Sequence, residues 1–136
     1  MAANVIVDAA FLVSYLNGRE ANHSWALAQS RHLQLPWKTC DAVLSETFHI
    51  LAARDAPRLV ALLRHRSLIC VFHAGEEIDA IIRLMAKYED APMSFADACL
   101  VRMTEMLTDP LVLTLDAHFR IYRRYGNKAI PCVMPN

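Results

Sequence analysis

Four acidic residues occupy positions where their side chains could share one metal ion. Asp8 directly follows a short apolar run at residues 4–7, and Asp116 comes just after a similar run that begins at residue 111. Both runs have the length of a buried strand, and ligands of open parallel sheets bind outside the carboxyl ends of the strands. We therefore expect Asp8 and Asp116 at the functional edge of a sheet.

The other two acids lie near the starts of predicted helices. Glu46 falls in the first turns of a helix that begins near Asp41, and Asp97 falls in the first turn of a helix that Ser94 can cap. A helix that follows a parallel strand starts at the edge of the sheet where that strand ends. All four carboxylates can therefore meet at one edge.

A cluster of this kind has a specific chemistry. Asp8 and Asp97 are flanked by small apolar residues, which predicts that both are buried. Burying carboxylates together is unfavourable through desolvation and mutual repulsion, so such a cluster calls for a divalent cation with oxygen ligands. The cation would suit phosphodiester hydrolysis. Taken singly, each acid is more simply a helix cap or a solvated charge, and only their joint placement favours the metal site.

The elements that would position these acids alternate along the chain. Five short apolar runs have the length and partial β-branching of buried strands, at residues 4–7, 35–38, 68–72, 111–114 and 130–133. Helical spacing occurs between and after them, at residues 11–16, 21–32, 41–54, 57–65, 76–88, 95–107 and 119–125. This alternation predicts an α/β fold, a three-layer α/β/α sandwich around a mostly parallel, about five-stranded sheet. No repeat or linker interrupts it, which predicts a single domain over residues 1–136.

Composition limits the location and partners of the protein. No window of about 18 uncharged apolar residues could span a bilayer, and Asp8 interrupts the first apolar stretch, which makes a poor signal peptide. We expect a soluble, cytoplasmic protein without a membrane partner. The cysteines form no C-x-x-C pair, so ordinary buried thiols are expected rather than disulfides or zinc ligands. They are Cys40, Cys70, Cys99 and Cys132.

The segments around the four acids carry a family resemblance. They read VDAAFLV at residues 7–13, AVLSE at 42–46, MSFADA at 93–98 and LTLDAHF at 113–119. In this order they resemble the PIN domain, as found in VapC-type ribonuclease toxins and their stand-alone relatives. The resemblance implies a Mg²⁺- or Mn²⁺-dependent endoribonuclease that hydrolyses RNA phosphodiester bonds as the toxin of a type II toxin–antitoxin pair. It also implies an RNA substrate, a small antitoxin partner and a homodimer.

The resemblance assigns catalytic and metal-binding roles to the four acids. Asp8 and Asp97 would be the principal metal ligands. Glu46 would bind metal or orient the attacking water, and Asp116 would act directly or through a second water. Thr114 matches a hydroxyl often found two residues before the last acid.

Three positions depart from common family patterns, although none belongs to the acidic quartet. Ala9 and Ala10 stand where many members have Ser or Thr, which puts one supporting hydrogen bond in doubt. Ser94 stands where some relatives carry an additional acid. Activity therefore remains the expectation.

Basic residues follow the last acid. The formal net charge is zero, with 14 basic and 14 acidic residues, so bulk charge does not predict nucleic-acid binding. No acid occurs after Asp116, however. Arg120, Arg123 and Arg124 are predicted on one short helix, where they could hold RNA phosphates beside the metal. A solvated basic face is equally compatible with this spacing.

Other functions fit the sequence less well. A phosphoacceptor receiver domain needs an acidic pair after its first strand, and this chain has Ala9 and Ala10. A haloacid-dehalogenase-like phosphatase needs a D-x-D motif, which Ala10 excludes. A catalytically silent PIN-like module that binds RNA or protein stays open, because an acidic quartet is necessary for hydrolysis but not sufficient.

Overall fold

The sheet that positions the site is described by a computed structural model covering residues 2–136. Within these residues the strands are β1 (Asn4–Val7), β2 (Trp37–Thr39), β3 (Leu68–Cys70), β4 (Pro110–Leu113), β5 (Arg123–Arg124), β6 (Lys128–Ala129) and β7 (Cys132–Val133). Five of them form a parallel sheet in the order β3-β2-β1-β4-β7, and β5 pairs with β6 in a separate antiparallel hairpin.

Helices connect the strands of the main sheet. They are α1 (Ala9–Leu16), α2 (His23–Ser30), α3 (Asp41–Ile50), α4 (Ala56–Arg64), α5 (Ile78–Lys87) and α6 (Phe95–Met106), with 3₁₀ turns at Ala74–Glu77 and Ala117–Arg120. The chain moves outward from β1 to β3 and then returns across the sheet to β4, so right-handed connections place helices on both faces. The predicted α/β sandwich with a five-stranded parallel sheet is confirmed.

The centre of the core is β1, which lies between β2 and β4. Val5, Ile6 and Val7 are at most 1% exposed and pair with residues 111–113 of β4 in register. A strand buried on both faces reads as a continuous apolar run, which is why residues 4–7 were recognisable in the sequence. The buried strand ends at Val7, so the carboxylate of the next residue, Asp8, lies at the edge of the sheet.

Two strands begin later than predicted because a proline precedes each, and two helices also have different bounds. The strand predicted at residues 35–38 begins at Trp37, and the one predicted at residues 130–133 begins at Cys132. Each follows a proline, and Pro36 and Pro131 have no backbone N–H to donate to a ladder. The helix predicted at residues 76–88 begins as a 3₁₀ turn, and the one predicted at residues 41–54 ends at Ile50.

The helix predicted at residues 119–125 is wrong. A 3₁₀ turn ends at Arg120, and Arg123–Arg124 then forms β5 of the hairpin. Tyr125 and Gly126 both adopt positive φ angles, of 52° and 84°, which is the backbone conformation of a tight hairpin turn. Glycine adopts this conformation without a steric cost, so the Gly126-Asn127 pair is the turn signal that helical spacing obscured.

The burial of the cysteines agrees only partly with the prediction. Cys40 and Cys99 are buried as expected, but Cys70 is exposed and Cys132 is half-buried, because both lie at the ends of short strands. All four cysteines carry free thiols.

Among the described residues, no helix has both the length and the apolar character needed to cross a bilayer.

Candidate metal centre

The four acids line one cavity at the edge of the sheet where β1 and β4 end. Its volume is about 110 Å³, and Asp8, Glu46, Asp97 and Asp116 all contribute to its wall. The remaining lining residues are small or apolar: Ala9, Ala10, Val43, Ala96 and Leu100. The structure therefore brings together the four residues that the sequence placed at this edge, and the space between them is sufficient for an ion and several waters.

Asp8 is the most deeply placed member of the cluster, with 7% exposure. It caps α1, and its Oδ1 accepts a hydrogen bond from the backbone N–H of Phe11 at 2.8 Å. Its Oδ2 accepts a hydrogen bond from the Thr114 hydroxyl. Burial raises the pKa of Asp8 to about 6, although both hydrogen bonds oppose the shift, and repulsion from Asp97 and Asp116 adds to it.

Asp97 is held by a capping box at the start of α6. The Ser94 hydroxyl accepts a hydrogen bond from the backbone N–H of Asp97 at 3.0 Å, and the Ser94 backbone N–H donates to Asp97 Oδ2 at 3.2 Å. Burial raises the pKa of Asp97, and the Asp116 charge adds to the shift. Its Oδ1 receives no hydrogen bond from the described residues, so this oxygen is available to a ligand.

Asp116 caps the 3₁₀ turn that follows β4. Its Oδ1 accepts hydrogen bonds from the backbone N–H of His118 at 2.9 Å and pairs with His118 Nδ1 at 2.7 Å. The Thr114 hydroxyl accepts a hydrogen bond from the Asp116 backbone N–H at 2.9 Å while it donates to Asp8. Thr114 therefore couples the two strand-end acids, and this contact supplies Asp8 with support that Ala9 and Ala10 cannot give.

Glu46 differs from the other three acids because it is exposed on α3. Among residues 2–136 it has no hydrogen bond or ion pair through its carboxylate, and none joins it to His49, although helical spacing allows that contact. It nevertheless lines the cavity. Glu46 is thus the acid with the greatest freedom to move.

The donor set of the cavity matches a hard divalent cation. Asp8 and Asp97 are carboxylates with raised pKa values, and a cation between them would offset both the desolvation and the repulsion. Within residues 2–136, no three His, Cys, Asp or Glu side chains are placed so that together they could hold one metal ion. Mg²⁺ tolerates this, since it typically uses one or two carboxylates and keeps several waters.

Tyr122 is a contact of the site that sequence reasoning missed. It is fully buried, and its hydroxyl donates a hydrogen bond to Asp97 Oδ2 at 3.3 Å. Its ring packs edge-on against Tyr88 and Phe119, each with a centroid distance of 5.2 Å. Burial raises the pKa of Tyr122, which keeps the hydroxyl a donor. Helical spacing at residues 119–125 gave no signal for this contact.

The three arginines after the last acid do not lie on one helix. Arg123 donates to the backbone carbonyls of Arg120 and Tyr122 at 2.7 and 3.1 Å. Arg124 donates to the Thr104 carbonyl and lies 4.6 Å from the centroid of the Tyr125 ring. Arg120 is exposed in the 3₁₀ turn, and it is the member of the three whose guanidinium has no such contact among the described residues.

A larger groove lies away from the acids. It has a volume of about 650 Å³ and is lined by Ala53, Ala56, Pro57, Val60, Ala61, Arg64 and His65. Size alone would favour it as a ligand site. Its ionisable side chains are Arg64 and His65 and it has no carboxylate to bind a cation, whereas the smaller cavity gathers four carboxylates.

Comparisons with known proteins agree with the fold. The PIN domain family model matches residues 5–125. Among solved structures, VapC20 of Mycobacterium tuberculosis, a toxin that cleaves the sarcin–ricin loop, has a TM-score of 0.72 and 20% sequence identity. The match covers 84% of this chain and 91% of that chain. At this identity the likeness concerns the fold. Among curated proteins, none matches this sequence.

Proposed function

Because this chain belongs to the PIN domain family, we propose that it is an endoribonuclease that hydrolyses RNA phosphodiester bonds with Mg²⁺ or Mn²⁺. The observation that carries the proposal is the convergence of four acids from distant parts of the chain on one small cavity. Two of these acids have raised pKa values, so the cavity favours a cation and, beside it, the phosphate of a substrate.

Asp8 and Asp97 are the residues that would hold the cation, with Asp116 contributing directly or through a water. The Asp97 Oδ1 and Asp116 Oδ2 atoms receive no hydrogen bonds from the described residues, whereas both oxygens of Asp8 are hydrogen-bonded. Each oxygen of Asp8 retains a second lone pair for a ligand. When bound, a divalent cation lowers the pKa of a water and neutralises charge on the phosphate.

Glu46 is the residue best placed to orient the attacking water and accept its proton. Its carboxylate is exposed, unpaired among residues 2–136 and part of the cavity wall, so it can accept a hydrogen bond from a water inside the cavity. It would orient that water toward phosphorus and take up its proton. Asp8 cannot do this as readily, because Phe11 and Thr114 hold its carboxylate in place. Glu46 can also serve as a further ligand.

The biological role is a further part of the proposal, and the resemblance to VapC-type toxins supports it. We place the chain as the toxin of a type II toxin–antitoxin pair that acts in the cytoplasm, forms a homodimer and is silenced by a small antitoxin. A basic antitoxin side chain inserted among the four acids would compete with the cation. Co-expression with the product of an adjacent small gene should form a complex that does not cut RNA, and an unaffected nuclease would contradict the pairing.

Metal-dependent cleavage tests the enzymatic proposal. The purified chain should degrade a structured RNA with Mg²⁺ or Mn²⁺, and EDTA should stop the reaction. Asp97→Asn should abolish cleavage while circular dichroism stays unchanged. Asp90→Asn is the matched control, because Asp90 is an exposed acid outside the cavity. RNA binding without any cleavage by the wild type would instead support a silent PIN-like binding module.

A further inference from the structure

Tyr122 is held in a fixed position beside two of the four acids. Its side chain is fully buried, and its ring stacks on the His118 ring at a centroid distance of 6.3 Å, in addition to its edge contacts with Tyr88 and Phe119. Its backbone N–H donates to the His118 carbonyl at 3.0 Å. A buried ring that is packed by three other rings cannot change rotamer without disturbing the core. The Tyr122 hydroxyl therefore occupies a defined point next to the cavity.

That hydroxyl completes the orientation of the Asp97 carboxylate. The terminal torsion of an aspartate has broad, roughly two-fold preferences, so a single hydrogen bond leaves its carboxylate considerable freedom to turn. Asp97 Oδ2 accepts two hydrogen bonds from separate groups, the Ser94 backbone N–H at 3.2 Å and the Tyr122 hydroxyl at 3.3 Å. Both donors bind the same oxygen, so Oδ1 is the oxygen that stays available to a ligand.

Tyr122 also connects elements that the local caps leave unconnected. The capping box of Ser94 and Asp97 lies within the start of α6 and moves with that helix. Tyr122 lies in the segment after β4 that carries Asp116, and its hydrogen bond to Asp97 spans 25 residues of the chain. The stacked His118 ring in turn pairs with Asp116 through Nδ1 at 2.7 Å. The two rings therefore link the acid at the start of α6 to the acid after β4.

We propose that Tyr122 is a positioning residue for the cation site: its hydroxyl holds Asp97 Oδ2, so that Oδ1 is the oxygen presented to the cation, and it ties α6 to the segment that carries Asp116. Tyr122 acts through Asp97 and needs no contact with the substrate. Groups that orient a metal-binding side chain contribute about tenfold to a hundredfold to metal affinity. This role rests on the cation site of the proposed nuclease, but not on cleavage of RNA.

The Mn²⁺ affinity of Tyr122→Phe tests this role, because phenylalanine keeps the ring and removes only the hydroxyl. Isothermal titration calorimetry of the metal-free variant should show an affinity at least about tenfold below that of the wild type. Thermal unfolding in EDTA should be nearly unchanged, because every ring contact is kept and Asp97 Oδ2 retains the hydrogen bond from Ser94. Wild-type Mn²⁺ affinity in Tyr122→Phe would overturn the proposal.

Tyr88→Phe is the matched control from the same group of aromatic rings. The Tyr88 ring packs against Tyr122, but its hydroxyl accepts a hydrogen bond from the Arg123 backbone N–H at 2.9 Å and, among the described residues, bonds to no acid. This substitution should lower the melting temperature by about 4 °C and leave the Mn²⁺ affinity unchanged. An equal loss of Mn²⁺ affinity in both variants would overturn the proposal, because ring packing rather than the Tyr122 hydroxyl would then control the site.

Cleavage at two Mn²⁺ concentrations separates a loss of cation affinity from a general defect. Near the wild-type dissociation constant, Tyr122→Phe should cut RNA about fivefold more slowly than the wild type, and excess Mn²⁺ should bring the two rates within about twofold. A rate that stays equally low in excess Mn²⁺ would overturn the positioning role.

The same measurements distinguish this role from the nuclease proposal. A wild type that binds Mn²⁺ but cuts no RNA would contradict the nuclease, while the Mn²⁺ affinity of Tyr122→Phe would still decide the role of Tyr122. A wild type that cuts RNA beside a Tyr122→Phe variant of unchanged Mn²⁺ affinity would overturn the role of Tyr122 alone. A wild type that binds no Mn²⁺ would overturn both.

Discussion

The acid cavity and the basic segment at residues 117–129 both carry charge, but the fold uses that charge differently. Among the described residues of the cavity, Glu46 has no polar partner, and Asp97 and Asp116 each keep one oxygen without a hydrogen bond. In the basic segment, Arg123 and Arg124 are occupied by backbone carbonyls. Charge that the protein leaves unsatisfied is available to a ligand, whereas charge bound to the protein's own carbonyls supports the hairpin.

Neutralising the deepest acid should have the largest effect. Asp8→Asn keeps both hydrogen bonds possible, since the amide oxygen can accept from Phe11 and the amide nitrogen can donate to Thr114. It removes the charge that would hold the cation, so RNA cleavage should fall about a thousandfold or more. Initial rates of cleavage in Mg²⁺ measure this. Cleavage by Asp8→Asn at the wild-type rate would contradict the claim that the acid cavity, unlike the basic segment, uses its charge to bind a ligand.

The pH dependence of stability without metal should show the cost of the same charge. Folding raises the pKa of Asp8 from 3.8 to about 6, so the folded protein binds this proton more tightly than the unfolded chain does. The resulting contribution to the free energy of unfolding is fully present below about pH 4 and is lost as pH rises through 6. At pH 8 in EDTA, Asp8→Asn should increase the free energy of unfolding by up to about 3 kcal/mol. The gain should vanish near pH 4. Urea denaturation at both pH values measures it, and a pH-independent difference would contradict the account.

Asp116→Asn should have an intermediate effect. Asp116 is half-buried and would act partly through a water, so we expect cleavage to fall about tenfold to a hundredfold rather than vanish. Its Oδ1 can still accept the His118 backbone hydrogen bond as an amide oxygen. Single-turnover cleavage rates measure the effect. A loss as large as that of Asp8→Asn would place Asp116 directly on the cation.

The smallest effects are expected for Arg120 and Arg124, and they should differ in kind: one on RNA affinity, the other on stability. Arg120→Ala removes an exposed cation, so RNA affinity should fall a few-fold, and the dependence of log affinity on log salt should decrease by about 0.7. Arg124→Ala removes the contacts with Thr104 and Tyr125, so the free energy of unfolding should fall by about 1 kcal/mol with little change in salt dependence. Binding titrations at several salt concentrations and thermal unfolding measure these changes. The reverse pattern would make Arg124 the RNA contact.

The acid cavity could be predicted from the sequence because its geometry follows from topology. Apolar runs identify buried parallel strands, and acids that follow them must emerge at one edge. The first turns of helices after such strands lie at that same edge, which brought Glu46 and Asp97 into the prediction. Asp8, Asp97 and Asp116 are each positioned by a strand end or a helix start, whereas Glu46 lies in the middle of α3 and was recognised mainly through the order of the four motifs.

The basic segment could not be predicted because tertiary contacts determine its structure. Residues 119–125 have helical spacing, but the Tyr125 backbone N–H donates to Glu105 of α6 at 2.7 Å, and Arg124 donates to the Thr104 carbonyl. These partners lie about twenty residues earlier in the chain. The contact between Tyr122 and Asp97 depends on the same arrangement. A pattern read within one segment contains no information about partners in another.

Binding of Mn²⁺ alone tests the central claim that the four acids form a cation site. Isothermal titration calorimetry of the metal-free chain should detect binding to the wild type, with unchanged affinity for Asp90→Asn. Asp8→Asn should bind at least about tenfold more weakly, because a buried ligand charge is lost while the fold is kept. Wild-type affinity in Asp8→Asn would contradict the account, since it would place the cation elsewhere and leave Asp8 as a helix cap.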